Sequence, residues 1–194
     1  MHMQGALRAP EMTEAEYLAF EEASPEKHEF AGGQIFLMSG ASKTHNKIIG
    51  NIYTAFRQKA KACLTFFSDV KCKGHNIYYY PDVMLSCESS SDSHFETHPC
   101  VIVEVISPAT AKVDRVEKLS NYKKISSLQA YVLVEQDERR IDIFRRHENF
   151  WVHESLEDEA EFRLPCVDAP LTLAEIYGGV DVSPPVYRGD IGQT

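Results

Sequence analysis

Glu104 stands inside the run 100–107 (CVIVEVIS), whose β-branched residues read as a strand buried on both faces. An ionised carboxylate there is unfavourable unless it is paired, hydrogen-bonded or bound to a metal. Strand alternation puts Glu104 on one face with Ile102 and Ile106. A second carboxylate, Asp82, directly follows Pro81 in residues 80–84 (YPDVM). Proline cannot donate a ladder hydrogen bond, so Pro81 marks a strand edge, start or bulge, with Asp82 at the entrance to an apolar strand. Two such carboxylates on neighbouring strands repel, and a hard divalent cation with oxygen ligands is the simplest partner that keeps both ionised. Asp114, Lys118 and Tyr122 share one stripe at i, i+4, i+8, from which Lys118 can reach back toward Glu104. Glu29, ahead of the Gly32-Gly33 turn, is a further acid that could join the site from an N-terminal helix. Each residue also has a plainer role. Glu104 could pair with Arg115 or Lys118 in a buried salt bridge, and Asp82 could cap a strand. Lys118 could pair only with Asp114, Glu29 could lie on the surface, and His45 could be a packing or capping histidine.

The elements that must position these groups follow from periodicity. Thr13 and Glu16 fit a capping box before a short helix that ends at Ser24-Pro25. Residues 34–38 read as a strand. Ile48, Ile49, Ile52, Tyr53, Phe56 and Ala60 recur at helical spacing, giving an amphipathic helix over 45–62. Residues 64–73 and 77–87 read as strands joined by a Gly74-His75-Asn76 turn, and 88–99 as a Ser-rich loop. After the 100–107 strand come a helix over 111–125, a buried strand over 129–135, and antiparallel strands over 139–146 and 150–155. A terminal helix over 171–177 closes the order. Helix, three strands, helix, strand is an α/β sandwich (α+β) with a mixed β-sheet flanked by helices and an antiparallel C-terminal extension. The expected organisation is one domain over 12–180, between tails at 1–11 and 181–194.

Composition narrows the function. The chain has 194 residues, 20 Lys+Arg and 29 Asp+Glu, for a net charge of −9. That balance argues against a polybasic protein that grips nucleic acid by bulk charge. The charge is uneven, however: residues 43–146 hold 16 Lys+Arg against 12 Asp+Glu, so the acidity lies in the flanks. Arg57, Lys59, Lys61, Lys112 and Arg115 are the candidate nucleic-acid contacts on the basic faces. No apolar run approaches the roughly 20 residues of a membrane span, and residues 1–10 carry no apolar signal core, so a cytoplasmic location is expected. Five cysteines without a C-x-x-C read as free buried thiols in a reducing compartment.

Segments 14–33 (EAEYLAFEEASPEKHEFAGG), 79–83 (YYPDV), 103–108 (VEVISP), 114–122 (DRVEKLSNY) and 131–134 (YVLV) resemble, in order, the Uma-type restriction endonuclease family. That family belongs to the PD-(D/E)XK nuclease-like superfamily. The resemblance spans about residues 12–180 and implies a restriction-endonuclease-like core, a Mg²⁺ or Mn²⁺ cofactor, a DNA substrate and a homodimer. It implies that Asp82 and Glu104 are metal ligands and that Glu29 is the additional N-terminal acid. The lysine that normally stands two residues after the second acid is absent, because Ile106 occupies its place. Lys118 is the candidate for a lysine migrated to the following helix; Lys71 or Lys73 could substitute.

That departure motivates a rival reading, a degenerate nuclease fold that only binds DNA or a protein. A second rival is a zinc protein using Cys87, His94, His98 and Cys100, whose ligand types suit zinc. A Cys/His hydrolase is disfavoured, because no Gly-rich elbow surrounds any Cys or Ser.

Overall fold

The computed structural model describes residues 11–182 except 39, 89 and 109. The expected tails therefore lie outside the described residues, apart from Glu11, Asp181 and Val182.

Helix α1 (Glu14–Ala23) opens with the capping box: the Thr13 side chain accepts the Glu16 N–H and the Glu16 carboxylate accepts the Thr13 N–H. Strands β1 (His28–Ala31) and β2 (Gln34–Leu37) form a hairpin turned by Gly32 and Gly33, at φ +58 and +86. Both angles lie in the left-handed region that glycine adopts without a steric penalty. Helix α2 (Lys43–Lys59) is capped by Ser42 and buries Ile48, Ile49, Ile52, Ala55 and Phe56. Strands β3 (Leu64–Phe67), β4 (Lys71–Gly74), β5 (Ile77–Tyr79), β6 (Val83–Ser86), β7 (Phe95–Glu96) and β8 (Pro99–Ile106) follow. A π-helical stretch (Val113–Lys118) then runs into α3 (Leu119–Tyr122). Strands β9 (Ala130–Glu135), β10 (Arg140–His147), β11 (Phe150–Glu157), β12 (Glu161–Phe162) and β13 (Leu171–Thr172) lead to the short helix α4 (Leu173–Ile176).

The larger sheet has the order β11-β10-β9-β8-β6-β3, and the second has the order β2-β1-β5-β4-β7. Strands β8 and β9 pair in parallel, which requires a crossover; the helical segment supplies it. All eight residues of β8 are buried, because α2 covers one face of the larger sheet and the second sheet with α3 covers the other. Val83, Val101, Val103 and Val132 pack with α2 and α4. Met84, Ile102, Ile106 and Leu133 pack with Cys72, Tyr79 and Tyr122. No helix among the described residues is long and apolar enough to cross a membrane.

Two of the expected strands divide. The 64–73 segment becomes β3 and β4, and the 77–87 segment becomes β5 and β6, with one piece of each in either sheet. The chain leaves the larger sheet at Ser68, a non-glycine residue at φ +53, and returns at Asp82. The two crossings are tied together by the Ser68 N–H donating to the Asp82 carbonyl at 3.2 Å. Pro81 sits on the return, where no ladder bond is needed from it. The crossing was hidden because both halves of each segment are strand-like. The Ser-rich loop likewise contains β7, parallel to β4, and the last helix starts only after β13.

Candidate active site

Asp82 lies at the mouth of β6. The register Val83↔Val103 and Met84↔Ile102 continues to set it opposite Glu104. Its Oδ2 accepts the Val105 N–H at 2.7 Å and lies 3.2 Å from His45 Nε2. His45 is in the first turn of α2, so the helix start and the strand crossing hold Asp82 together. Burial works against a charge on His45, but the Asp82 carboxylate outweighs it and raises the imidazole above its ordinary range. The other ring nitrogen, Nδ1, is buried without a hydrogen-bond partner.

Glu104 lies under the helical crossover. Its Oε1 takes the Tyr122 hydroxyl at 3.0 Å and the Lys118 ammonium at 3.1 Å. Lys118 Nζ also lies 2.9 Å from Glu29 Oε1 and 3.5 Å from Asp114 Oδ1. One buried cation therefore serves three carboxylates. Burial disfavours the charged amine, but Glu104, Glu29 and Asp114 more than reverse this and hold Lys118 well above the usual lysine range. Burial pushes Glu104 well above the usual carboxylate range; Lys118 opposes the rise, while Asp114, Asp82 and Glu29 add to it. Asp114 is raised for the same leading reason, burial, against Lys118. The π-helical winding places Asp114 and Lys118 on the sheet-facing side together, and such wide turns recur at functional sites.

Glu29 comes from β1 of the second sheet, not from a helix. Its Oε1 also accepts the Tyr80 N–H at 3.1 Å, one residue before Pro81. The site is thus the place where both sheets, α2 and the crossover helix meet. Asp82, Glu104, Glu29 and Lys118 come from four separate elements to this junction. Tyr122 and Asp114, noted in the sequence only as stripe partners of Lys118, are part of it, and so is His45. The signal for His45 was its position one helical turn below Ile49, facing the sheet.

The alternative lysines go elsewhere: Lys73 pairs with Glu14 at 3.2 Å, and Lys71 lies over the Tyr80 ring. Two of the five expected nucleic-acid contacts are engaged within the fold. Lys59 binds Glu175 at 2.5 Å and the Pro170 carbonyl, and Arg115 binds Glu135 and Asp142. Arg57 and Lys61 are exposed but sit by the far end of α2, about 20 Å from His45 at 1.5 Å per helical residue. Lys112 lies at the start of the crossover helix.

Carboxylate oxygens are the donor type that a hard divalent cation takes. Glu104, Glu29 and Asp114 already share one cation, Lys118, so an ion would have to share these oxygens with its ammonium. The plainer reading of Glu104 as a salt-bridge partner of Lys118 is the contact the structure contains.

A family model described as "Uma2: Putative restriction endonuclease" matches residues 14–174. The uncharacterized protein slr1290 of Synechocystis sp. is 35% identical over 187 residues, covering 93% of each chain. A second uncharacterized Synechocystis protein, sll1609, is 32% identical over 143 residues, covering 70% of this chain and 81% of its own. A crystal structure described as "a putative nuclease belonging to DUF820", from Anabaena variabilis, superposes with a TM-score of 0.69 at 16% identity. It covers 84% of this chain and 96% of its own. At that identity the likeness is one of fold, and the fold is the restriction-endonuclease-like mixed sheet flanked by helices.

Proposed function

The chain belongs to the Uma2 family of restriction-endonuclease-like proteins, and from that premise we propose that it is a metal-dependent endonuclease hydrolysing DNA phosphodiester bonds. The observation that carries the reading is Lys118: its ammonium lies against Glu104, supplying the positive charge that Ile106 cannot. Asp82, Glu104 and Glu29 would hold Mg²⁺ or Mn²⁺. When bound, such an ion supplies Lewis-acid polarisation of a phosphoryl oxygen and a water of lowered pKa.

The remaining work belongs to the chain's own groups. The Val105 N–H and His45 fix the Asp82 carboxylate in one orientation, so it needs no reorganisation on binding. The Tyr122 hydroxyl and Lys118 do the same for Glu104. Lys118 offers a permanent cation for negative charge that develops on the phosphoryl oxygens, in a site where burial makes that attraction strong. DNA would approach from the rim at Asp82, His45 and Lys112, with Arg57 and Lys61 as more distant phosphate contacts. Two symmetric copies in a homodimer would allow both strands to be cut.

Nicking of supercoiled plasmid with Mg²⁺ or Mn²⁺ tests the reading. Cleavage that is abolished by both Asp82→Asn and Glu104→Gln supports it. DNA binding without cleavage in either metal overturns it in favour of the binding-only module.

A further inference from the structure

Cys63, Cys87, Cys100 and Cys166 bring their four Sγ atoms within 4.8 Å of one another. They come from four distant segments: the turn after α2, the residue after β6, strand β8, and the loop between β12 and β13. The reading of these thiols as free and buried needs correction. Cys63 and Cys87 are joined as a disulfide, Cys166 is exposed, and Cys72 and Cys100 are free and buried. Cys87 Sγ also lies 3.2 Å from Cys100 Sγ.

We propose that, in the reduced chain, these four cysteines form a structural Zn²⁺ site of the Cys₄ type. Tetrahedral zinc with Zn–S near 2.3 Å sets its sulfurs about 3.8 Å apart, so the cluster is already at the scale required. A disulfide alone would need only two of the four.

The other two are brought in by local backbone features. Leu85 pairs with Val101 and Ser86 with Pro99, so Cys100 is an extra residue in a bulge. The bulge re-aims Cys100 from the Glu104 face, where simple alternation would put it, to the α2 face with Cys63. Cys166 is a non-glycine residue at φ +65, a conformation that holds its side chain at the cluster and is otherwise disfavoured. Its loop is pinned to the end of α2 by the Asp168 N–H donating to the Lys59 carbonyl at 2.7 Å, and by Lys59 donating to the Pro170 carbonyl. Cys63 and Cys100 are buried while Cys87 and Cys166 are exposed, which leaves an entry path for the ion.

The zinc reading based on Cys87, His94, His98 and Cys100 therefore changes half of its ligands. His94 turns to Asp92 and Ser93, and His98 to Thr97. Coordination forms four Zn–S bonds and releases the thiol protons to water, with no electron transfer. The S–S bond of the oxidised chain must first accept two electrons from a phosphine reductant and two protons from water, whose oxygen ends on the phosphine oxide.

The test uses the full chain purified in such a reductant, with all five thiols confirmed by thiol titration. Elemental analysis should give one zinc per chain, and Co²⁺ added to metal-free protein should produce thiolate-to-cobalt charge transfer and intense tetrahedral bands. Cys166→Ser and Cys100→Ser should each weaken the cobalt spectrum, with at least about a tenfold loss of zinc affinity. Absence of zinc and of thiolate–cobalt bands in the reduced wild type overturns the proposal, and so does a Cys166→Ser variant with an unchanged spectrum. The wild-type titration decides even if a variant fails to fold.

Discussion

Strand β8 carries Glu104 toward one end and Cys100 toward the other, roughly 13 Å apart at about 3.3 Å per residue. Around Glu104 the donors are carboxylate oxygens and a buried lysine already sits among them. Around Cys100 the donors are four sulfurs, all within 4.8 Å of one another. Hard carboxylate oxygens suit Mg²⁺, which is held by few ligands and exchanges; soft thiolates suit zinc held permanently. One strand thus presents a place for chemistry and a place for stability, separated by a bulge that turns its side chains to opposite faces.

The difference is tested most severely by Lys118→Met, which keeps the length of the side chain and removes its charge. Glu104, Glu29 and Asp114 would then share a buried site with no cation. Removing one partner from a buried ion pair costs about 3–5 kcal/mol, and a loss of that size in urea unfolding is expected. Mn²⁺, which binds only the folded state, should restore more stability to the variant than to the wild type, because the three carboxylates then lack Lys118 as a competing cation. A variant as stable as wild type would show that Lys118 does not hold the three carboxylates together.

Next in size is Glu104→Gln, expected to lower plasmid nicking by at least about 10²-fold, or roughly 2.7 kcal/mol in the barrier. Its zinc content should stay at the wild-type value. Tyr122→Phe removes one of the two donors to Glu104 Oε1 and leaves Lys118 in place. A loss of about 1–2 kcal/mol in unfolding free energy is expected, since a buried carboxyl oxygen loses one of its donors. No loss would mean that Lys118 alone orients Glu104.

The two ends of β8 were not equally legible in the sequence. Glu104 announces itself, because a charge within a continuous β-branched run has few explanations. Asp82 is readable through Pro81, and Lys118 through helical spacing. The mixed sheet and its crossover followed from the order of periodicities. The division of two strands between sheets did not, since β3 and β4 have the same local pattern that one long strand would have. The cysteine cluster was hidden for a different reason. Its members are separated by 24, 13 and 66 positions, and Cys100 joins them through a bulge, which has no reliable local signature. His45 fell between these cases: its inward position was readable, but its Asp82 partner depends on the tertiary crossing.

The smallest expected effect is the coupling between the two ends. Lys118→Met and Cys166→Ser change sites that share no side chain, at a separation beyond the 7–10 Å over which mutations usually stop interacting. The unfolding free energy of the double variant, measured with zinc present and in reductant, should equal the sum of the two single changes within about 0.5 kcal/mol. The Mn²⁺ response of Cys166→Ser should likewise match that of wild type. Coupling well above that limit would mean that β8 transmits strain between its ends, with the bulge at Cys100 as the element able to do so. A register shift there would move Val101 and Val103 against α2, and through α2 the His45 contact that orients Asp82. Additivity would instead establish that the bulge isolates the thiolate end, so that loss or gain of zinc leaves the carboxylates undisturbed.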